Sequence, residues 1–504
     1  MPHTMALLRR WGALTKARAN TNRLSSRANA YGAAASSQVE TVGAGGGRSS
    51  AASSVVKKQQ SASEEKVKMI DLNPPRGTRD FLPAEMRVQK WLFSKFAQVS
   101  EMYGFDEIMA PVLENEALFT RKGGEEITQQ LYNFTDKGDR PVSLRPELTP
   151  SLARIVLKQG KGAIYPLKYY AIGQCWRYER MTRGRRREHY QWNMDVVGVS
   201  DVSAEAEIIA ALVTFMQRVG LSDKDVGIKI STRSLLAEVL AAAGVPDDAF
   251  VPVCIAVDKL DKVGEEKVRE ELAAVGVPDS AATQILAALK VTSLEDMQEL
   301  LGESTKALDE LTELFRMLDA RGMSDWLVFD PSVVRGLSYY TGVVFEGFDR
   351  KGELRAIFGG GRYDRLMSTY GGEDIPCAGF GFGDAVIMEL LSERNLMPSD
   401  AEIRRVLGIP ETIVVSATSE AMFDAAGTVA EKLRCRQANA ADGVTRVDLV
   451  LEKKKKLKWI FKLCDRVAAS TLYLVGEKEW ADGQKVVKKE LATGEQEAIA
   501  LDEL

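Results

Sequence analysis

Histidine is the scarcest informative residue in this chain: there are two, His3 and His189. That excludes metal sites built on several histidines and leaves little room for a Ser-His-Asp hydrolase. Cysteine is scarce as well. The five (Cys175, Cys254, Cys377, Cys435 and Cys464) form no Cys-x-x-Cys pair, which argues against a zinc ribbon or a disulfide scaffold. Long apolar runs are missing too. No stretch reaches the roughly 18 unbroken apolar residues of a spanning helix, so no membrane span is expected. What is present is a chain of 504 residues, 45% hydrophobic and 27% charged. That is the composition of a soluble globular protein, with length for roughly two to four domains.

The charge is unevenly spread. Residues 1–60 hold nine basic residues (Arg9, Arg10, Lys16, Arg18, Arg23, Arg27, Arg48, Lys57, Lys58) against one acid, Glu40, and 20 of those positions are Ala or Ser. An Arg-rich, Ser/Ala-rich, acid-poor leader reads as a mitochondrial or chloroplast transit peptide. The plainer reading is a disordered tail. The remainder holds 58 basic against 70 acidic residues, net about −12. A nucleic-acid partner must then be met by local basic patches.

Organised chain is expected from about residue 66. Pro83 opens a helix, and Val88, Leu92, Phe96, Val99 and Tyr103 mark one apolar face. Residues 105–113 read as a strand interrupted by Pro111, which suits a sheet edge. Residues 127–197 read as strands and turns around a short helix at 149–159, with strands at 168–175 and 189–197 flanking a basic loop. A helix follows at 202–219, with Ser203 as its cap candidate. Residues 221–326 read as a mostly helical insertion. Strands return at 343–347 and 354–358, and a strand-to-helix unit over 378–391 closes the domain. Residues 398–410 read as a linker, and 411–504 as a small alternating α/β module.

Four segments carry the chemistry. Arg177-Tyr178-Glu179-Arg180-Met181-Thr182-Arg183-Gly184-Arg185-Arg186-Arg187 holds six arginines in eleven residues. Guanidinium is a rigid fork of donors matched to phosphate oxygens. Charge runs are usually solvated loops, but one set between two strands with an acid near its start favours a built phosphate site. Val334-Arg335-Gly336-Leu337-Ser338-Tyr339-Tyr340-Thr341-Gly342 places an arginine and paired tyrosines between glycines, and by itself suits a turn with core aromatics equally well. Phe358-Gly359-Gly360-Gly361-Arg362-Tyr363-Asp364 allows close approach of a ligand or a backbone but matches neither the dinucleotide fingerprint nor the Walker loop. In Leu144-Arg145-Pro146-Glu147-Leu148-Thr149 an acid follows a strand and precedes a helix; alone, Glu147 is a cap candidate.

Taken together, these segments resemble the class II aminoacyl-tRNA synthetases, and specifically the histidyl-tRNA synthetase family in its plant organellar form. Pro75-Arg76-Gly77-Thr78-Arg79-Asp80-Phe81 is similar to the family's opening segment. The first helix and the Pro111 strand resemble motif 1, the dimer element. Trp176-Arg177-Tyr178-Glu179, with the chain to Asp195, resembles motif 2. The Arg335 and Gly359 segments resemble the two histidine-specific signatures. The last 94 or so residues resemble the class IIa anticodon-binding domain.

The resemblance implies an α+β fold: a leader over 1–65, an antiparallel-sheet catalytic domain over 66–400 with a helical insertion at about 221–326, and an anticodon-binding domain over 411–504. It implies a histidine–tRNA ligase that forms histidyl-adenylate and pyrophosphate from L-histidine and ATP, then esterifies the 3'-terminal adenosine of tRNA-His. Arg177 and Arg335 would flank the α-phosphate as the catalytic pair. Glu147, with Thr149 beside it, would accept from the substrate's ammonium. Gln191 would hold the bound amino acid, while Asp195 and Tyr340 read the imidazole, with Tyr339 adjacent. Glu179, Arg185, Arg187 and His189 would meet ATP. Mg²⁺ would accompany the β- and γ-phosphates, with no protein-bound metal. A homodimer in mitochondrion, chloroplast or both is implied, with no membrane partner. Lys453-Lys454-Lys455-Lys456-Leu457-Lys458-Trp459 is a basic run beside an aromatic that suits an RNA loop or a solvated helix start.

Two departures stand out. Gly379-Phe380-Gly381-Phe382-Gly383-Asp384-Ala385 has Asp384 and Ala385 where the family's motif 3 carries Arg, leaving Arg362, Arg365 or another cation to replace it. His189 stands where an aromatic often stacks on adenine. Two rival readings differ in class: a catalytically silent, histidine-sensing regulatory paralogue, and an RNA-binding or signalling module on the same fold. Adenylate formation separates both from the enzyme.

Overall fold

The computed structural model describes residues 69–504 except 122–124, 247–248, 258–259, 334–338, 439–445 and 454. Residues Asn73–Leu504 form one compact unit. Helix α1 (Pro83–Met102) starts at its proline, and the Glu85 carboxylate accepts from the Leu82 amide at 2.8 Å. Its expected face is the buried one: Leu92, Phe96 and Val99 are in the core, with Val88 and Tyr103 packed at its margin.

The Pro111 segment is shorter as a strand than expected. It forms β1 (Asp106–Glu107) and β2 (Leu113–Asn115), with no ladder between them. A proline cannot donate to a ladder, so the chain leaves one sheet and joins another. β2 pairs with β4 (Pro141–Leu144), which pairs with β3 (Tyr132–Thr135) in a three-stranded sheet. A hairpin turn joins β3 to β4. The Asp136 carboxylate closes it, accepting from the amides of Gly138 at 2.8 Å and Arg140 at 3.0 Å.

After α2 (Thr149–Gln159) come the two long strands β5 (Leu167–Trp176) and β6 (Glu188–Val197), then α3 (Ser203–Arg218). Ser203 does not cap α3. The Asp201 carboxylate instead accepts from the Ser203 amide at 2.9 Å. The span 221–326 is not helical from its start: β7 (Val226–Thr232) is a strand of the main sheet, and the helices begin at Arg233. Val226, Ile228 and Ile230 alternate at period two, the signature of a strand. β8 (Leu327–Phe329), β9 (Val343–Asp349), β10 (Phe358–Arg362) and β11 (Cys377–Gly383) complete the sheet, and α4 (Asp384–Glu393) follows. Among the described residues the sheet has eight strands in the order β1-β5-β6-β11-β10-β9-β7-β8. The six central strands pair antiparallel, with parallel pairs at the two edges.

Strand β6 gives the sheet two unlike faces, because successive side chains point to opposite sides. Trp192 and Met194 face α1 and α3 in the main core. Phe96 stacks on Trp192 with centroids 4.6 Å apart, and Phe380 meets Trp192 edge-on at 4.9 Å. Gln191, Asn193 and Asp195 face the other way, and they are buried polar groups. A rigid dry face thus backs a polar one.

The expected linker at 398–410 contains a helix, Asp400–Val406, capped by the Ser399 hydroxyl, which accepts from the Glu402 amide at 3.2 Å. Two prolines bracket a seven-residue helix whose one buried residue is Ile403, too short for periodicity to reveal. The C-terminal module contains β12 (Thr412–Ala417), α5 (Phe423–Ala438), β13 (Arg446–Leu449), α6 (Leu457–Val467), β14 (Ala469–Val475), β15 (Lys485–Glu490) and β16 (Gln496–Ala500). Its sheet order is β13-β12-β14-β15-β16. The β15 strand, with its lysine pairs, escaped the sequence reading.

Candidate active site

The polar face of the sheet carries two of the expected residues, Gln191 and Asp195. Asp195 on β6 lies opposite Gly379 of β11, and Gln191 opposite Gly383. Glycines make this possible. A Cβ on Gly379 would run into the Asp195 carboxylate, and one on Gly381 into the Gln191 amide. The β11 glycines therefore leave the volume into which the β6 side chains lean.

Asp195 is 3% exposed and accepts a short hydrogen bond from the hydroxyl of Tyr363. Burial pushes its carboxyl up to about 7, against the opposing pull of that hydrogen bond. Gln191 Oε1 and Asn193 Oδ1 are buried without a protein partner. The Asn193 amide donates to the Thr149 hydroxyl at 3.1 Å, at the start of α2. Unpaired buried acceptors are costly in a finished core, so two on one face mark a surface built for donors from outside.

Glu147 is 4% exposed, and the Tyr339 hydroxyl donates to its Oε2 at 3.1 Å. Tyr339 therefore orients Glu147, whereas Tyr363 orients Asp195. The rings of Tyr339, Tyr340 and Tyr363 pack together, with centroids 4.9 Å apart for Tyr339–Tyr340 and 5.9 Å for Tyr339–Tyr363. Arg177, at the end of β5, donates through Nε to the Pro146 carbonyl at 2.9 Å. The residue before Glu147 thus fixes Arg177. Arg335 lies outside the described residues.

The basic loop is internally braced. Glu179 is buried and forms a close ion pair with Arg185. Arg187 lies over the Tyr178 ring at 3.9 Å, and its stem fills the space beside Gly77, whose φ is +92°. Any side chain there would be strained and would meet that stem. Arg183 reaches across to α4, 3.4 Å from Glu389 and closer still to Glu393. His189 is half-buried, and its imidazole is driven down to about 3 by burial and then by Arg177, Arg185 and Arg79. It is neutral at physiological pH, a flat uncharged ring beside guanidinium groups.

Arg362 does not replace the missing motif 3 arginine. It forms a two-pronged ion pair with buried Glu205, at 2.7 and 2.6 Å, and donates to the carbonyls of Val199 and Asp201. It also pairs opposite Ala378, six residues before Asp384 along the chain, or about 20 Å at strand rise. Arg365 follows three residues later, at that same end. The cation at Asp384 is Arg79, whose Nη2 makes a short hydrogen bond to the carboxylate. Asp384 also accepts from the Tyr190 amide at 2.9 Å. Asn193, Tyr363 and Arg79 were given no role from sequence. The two-residue spacing of Gln191, Asn193 and Asp195 was the available signal for the first.

An antiparallel sheet with an arginine-braced loop between two of its long strands, followed in the chain by an α/β module, is the make-up of a class II aminoacyl-tRNA synthetase. The histidyl-tRNA synthetase family description matches residues 77–384, and the anticodon binding domain description matches 412–504. The chain is 54% identical over 441 residues to the chloroplastic/mitochondrial histidine–tRNA ligase of Arabidopsis thaliana, covering 88% of this chain and 87% of that one. It is 34% identical over 437 residues to the histidine–tRNA ligase of Pyrococcus horikoshii, covering 85% and 96%. In fold it matches the histidyl-tRNA synthetase of Nostoc sp. PCC 7120, with TM-score 0.66 at 24% identity over 86% of this chain and 98% of that one. The chain belongs to the histidyl-tRNA synthetase family and is an aminoacyl-tRNA ligase. The regulatory reading is not favoured.

Proposed function

We propose that the polar face of the sheet holds histidine between Glu147 and Asp195, and that the 177–187 loop holds ATP against it. The observation that carries this reading is the pair of buried, unpartnered acceptors, Gln191 Oε1 and Asn193 Oδ1, on the strand that bears Asp195, with both Asp195 and Glu147 fixed by tyrosine hydroxyls. Glu147 accepts from the α-ammonium, with Thr149 beside it. Asp195 accepts from one imidazole nitrogen, and Tyr340 meets the other. A site whose buried polar groups need those partners rejects apolar amino acids strongly.

In the first step a histidine carboxylate oxygen attacks the α-phosphorus, and pyrophosphate leaves with the electron pair of the broken P–O bond. Arg177 and Arg335 follow the charge on the non-bridging oxygens; a guanidinium does this without losing its own charge. Glu179 and its partner Arg185, with Arg187, hold ATP, and neutral His189 stacks on adenine. In the second step a hydroxyl of the terminal adenosine of tRNA-His attacks the acyl carbon, the bond from that carbon to the phosphate oxygen breaks, AMP leaves with its electron pair, and the hydroxyl proton is released. Positioning and charge stabilisation carry most of the rate.

Mg²⁺ enters with ATP as part of the substrate, screening the β- and γ-phosphates. The carboxylates of the site suit this: Glu147, Glu179 and Asp195 each already hold a protein partner and do not form a cage for a resident ion. Arg79, paired with Asp384, supplies the cation at the start of α4. Residues 1–65 act as the transit peptide, in keeping with the chloroplastic/mitochondrial relative. Two copies associate through the motif 1 region, where Leu113 and Phe134 on the outer strands of the small sheet are 45% and 51% exposed. The basic run before α6 serves tRNA.

Histidine-dependent ATP–pyrophosphate exchange tests this, with Arg177→Ala and Arg335→Ala as controls. Exchange that needs histidine and is lost in both controls is the expected result. A folded protein that binds histidine without exchange overturns the proposed roles.

A further inference from the structure

Arg145 is the least exposed arginine among the described residues, at 1%. Its guanidinium donates to backbone carbonyls: Nε to Gln174 at 2.8 Å, and Nη1 to Ala110 at 2.7 Å with a longer contact to Pro111 at 3.4 Å. Its own backbone is tied to the same two segments. The Arg145 amide donates to the Val112 carbonyl at 2.9 Å, and its carbonyl accepts from the Trp176 amide at 2.9 Å. One residue on, the Pro146 carbonyl receives Arg177 Nε, and Glu147 follows.

The position explains why a charge is kept there. β1 covers the outer edge of β5 only at Tyr169 and Tyr170, because the chain turns away at Pro111. Beyond that point the β5 carbonyls that face outward need other donors, since buried backbone acceptors are seldom left unpaired. A guanidinium carries donors in a fixed fork and spans two strands at once. Arg145 thus bridges the gap where the edge strand departs. Gly173 is shaped to it: a Cβ there would run into Nη2.

We propose that Arg145 is a positioning residue for adenylate formation, fixing Glu147 and Arg177 in one frame by pinning residues 145–147 to the edge of β5. This rests on the roles given above to Glu147 and Arg177. Arg145 itself touches neither histidine nor ATP. Lysine keeps the charge but cannot reach both carbonyls with one planar group. A 1 Å misplacement of reacting groups costs on the order of 100-fold.

The test measures exchange by the full chain for Arg145→Lys and Gly173→Ala, per folded molecule, alongside melting temperature. Both variants should lose about 100-fold in kcat, raise the KM for histidine, and leave the KM for ATP within about 3-fold. The Gly173→Ala variant keeps the arginine and displaces it, its Cβ colliding with Nη2 and pressing less closely on Leu148 Cδ2 at 3.1 Å, so it carries the test if Arg145→Lys does not fold. In an Arg177→Ala background, Arg145→Lys should add less than about 10-fold, because a residue acting through Arg177 has little left to lose. Normal kcat in folded Gly173→Ala, or fully multiplicative losses in the double variant, would overturn the proposal. If Arg177→Ala and Glu147→Gln are themselves active, the roles of those residues fail instead.

Discussion

Tyr363, just past the end of β10, donates its hydroxyl to Asp195 on β6 with β11 between the two strands, and both side chains are buried. Asp195 is thereby held in place on the polar face of the sheet, yet its charge is poorly solvated. Its carboxyl sits at about 7 rather than near 4.

This predicts a specific pH dependence. Between about pH 4 and 7 the folded, substrate-free protein keeps a proton on Asp195 that the unfolded chain releases. Stability attributable to Asp195 therefore falls as pH rises through that window, by at most about 4 kcal/mol. In Asp195→Asn that component should vanish. Urea unfolding at pH 5.5 and pH 8 reads the difference; equal slopes for both proteins would contradict it.

Histidine should reverse the penalty. A bound imidazole N–H compensates the charged Asp195, so histidine should raise the melting temperature more at pH 8 than at pH 5.5. Asp195→Asn should bind histidine at least about 10-fold more weakly, as expected for loss of a charged hydrogen-bond partner worth roughly 1.5–3 kcal/mol. Calorimetric titration at both pH values checks this.

Gly381→Ala is a selective lesion. Its Cβ would collide with the Gln191 amide and with no backbone atom. The KM for histidine should rise about 10-fold or more while the KM for ATP stays close to normal, in the manner of a binding loss. Equal effects on both substrates would place Gln191 elsewhere.

Arg79 and Asp384 form a separable pair. If Arg79 serves ATP, Arg79→Ala should raise the KM for ATP about 10-fold, and the double variant with Asp384→Ala should stay impaired. If Arg79 only neutralises Asp384, the double variant should recover. A double-mutant cycle on KM for ATP decides between them.

The Arg362–Glu205 pair is a structural pin, not a phosphate contact. Arg362→Met leaves Glu205 buried and uncompensated, which costs about 3–5 kcal/mol. Denaturant midpoints should show that loss while KM for ATP in the folded fraction is unchanged.

Much of this was legible in the residues. The 3.6-residue spacing of α1, the strands around the basic loop and the turn at Asp136 follow from local periodicity and turn chemistry. The period-two alternation of β7 is short and lies inside an alanine- and leucine-rich span whose composition is that of helices. The Asp400–Val406 helix was too short to show a repeat. Ser203 looked like a cap, but Asp201 reaches the free amide instead, a choice that depends on one turn's geometry.

The sequence by itself determined the segments, the arginine supply, the scarcity of histidine and the glycine runs, since each is a local property of the chain. The tertiary structure decided their pairing. It assigned Tyr339 to Glu147 and Tyr363 to Asp195, committed Arg362 to Glu205, and set Arg79 beside Asp384 and Arg145 on the carbonyls of Gln174 and Ala110. Those partners lie up to 305 residues apart in the chain. Strand register and burial choose them, because a buried polar group takes whichever partner the sheet brings within about 3 Å.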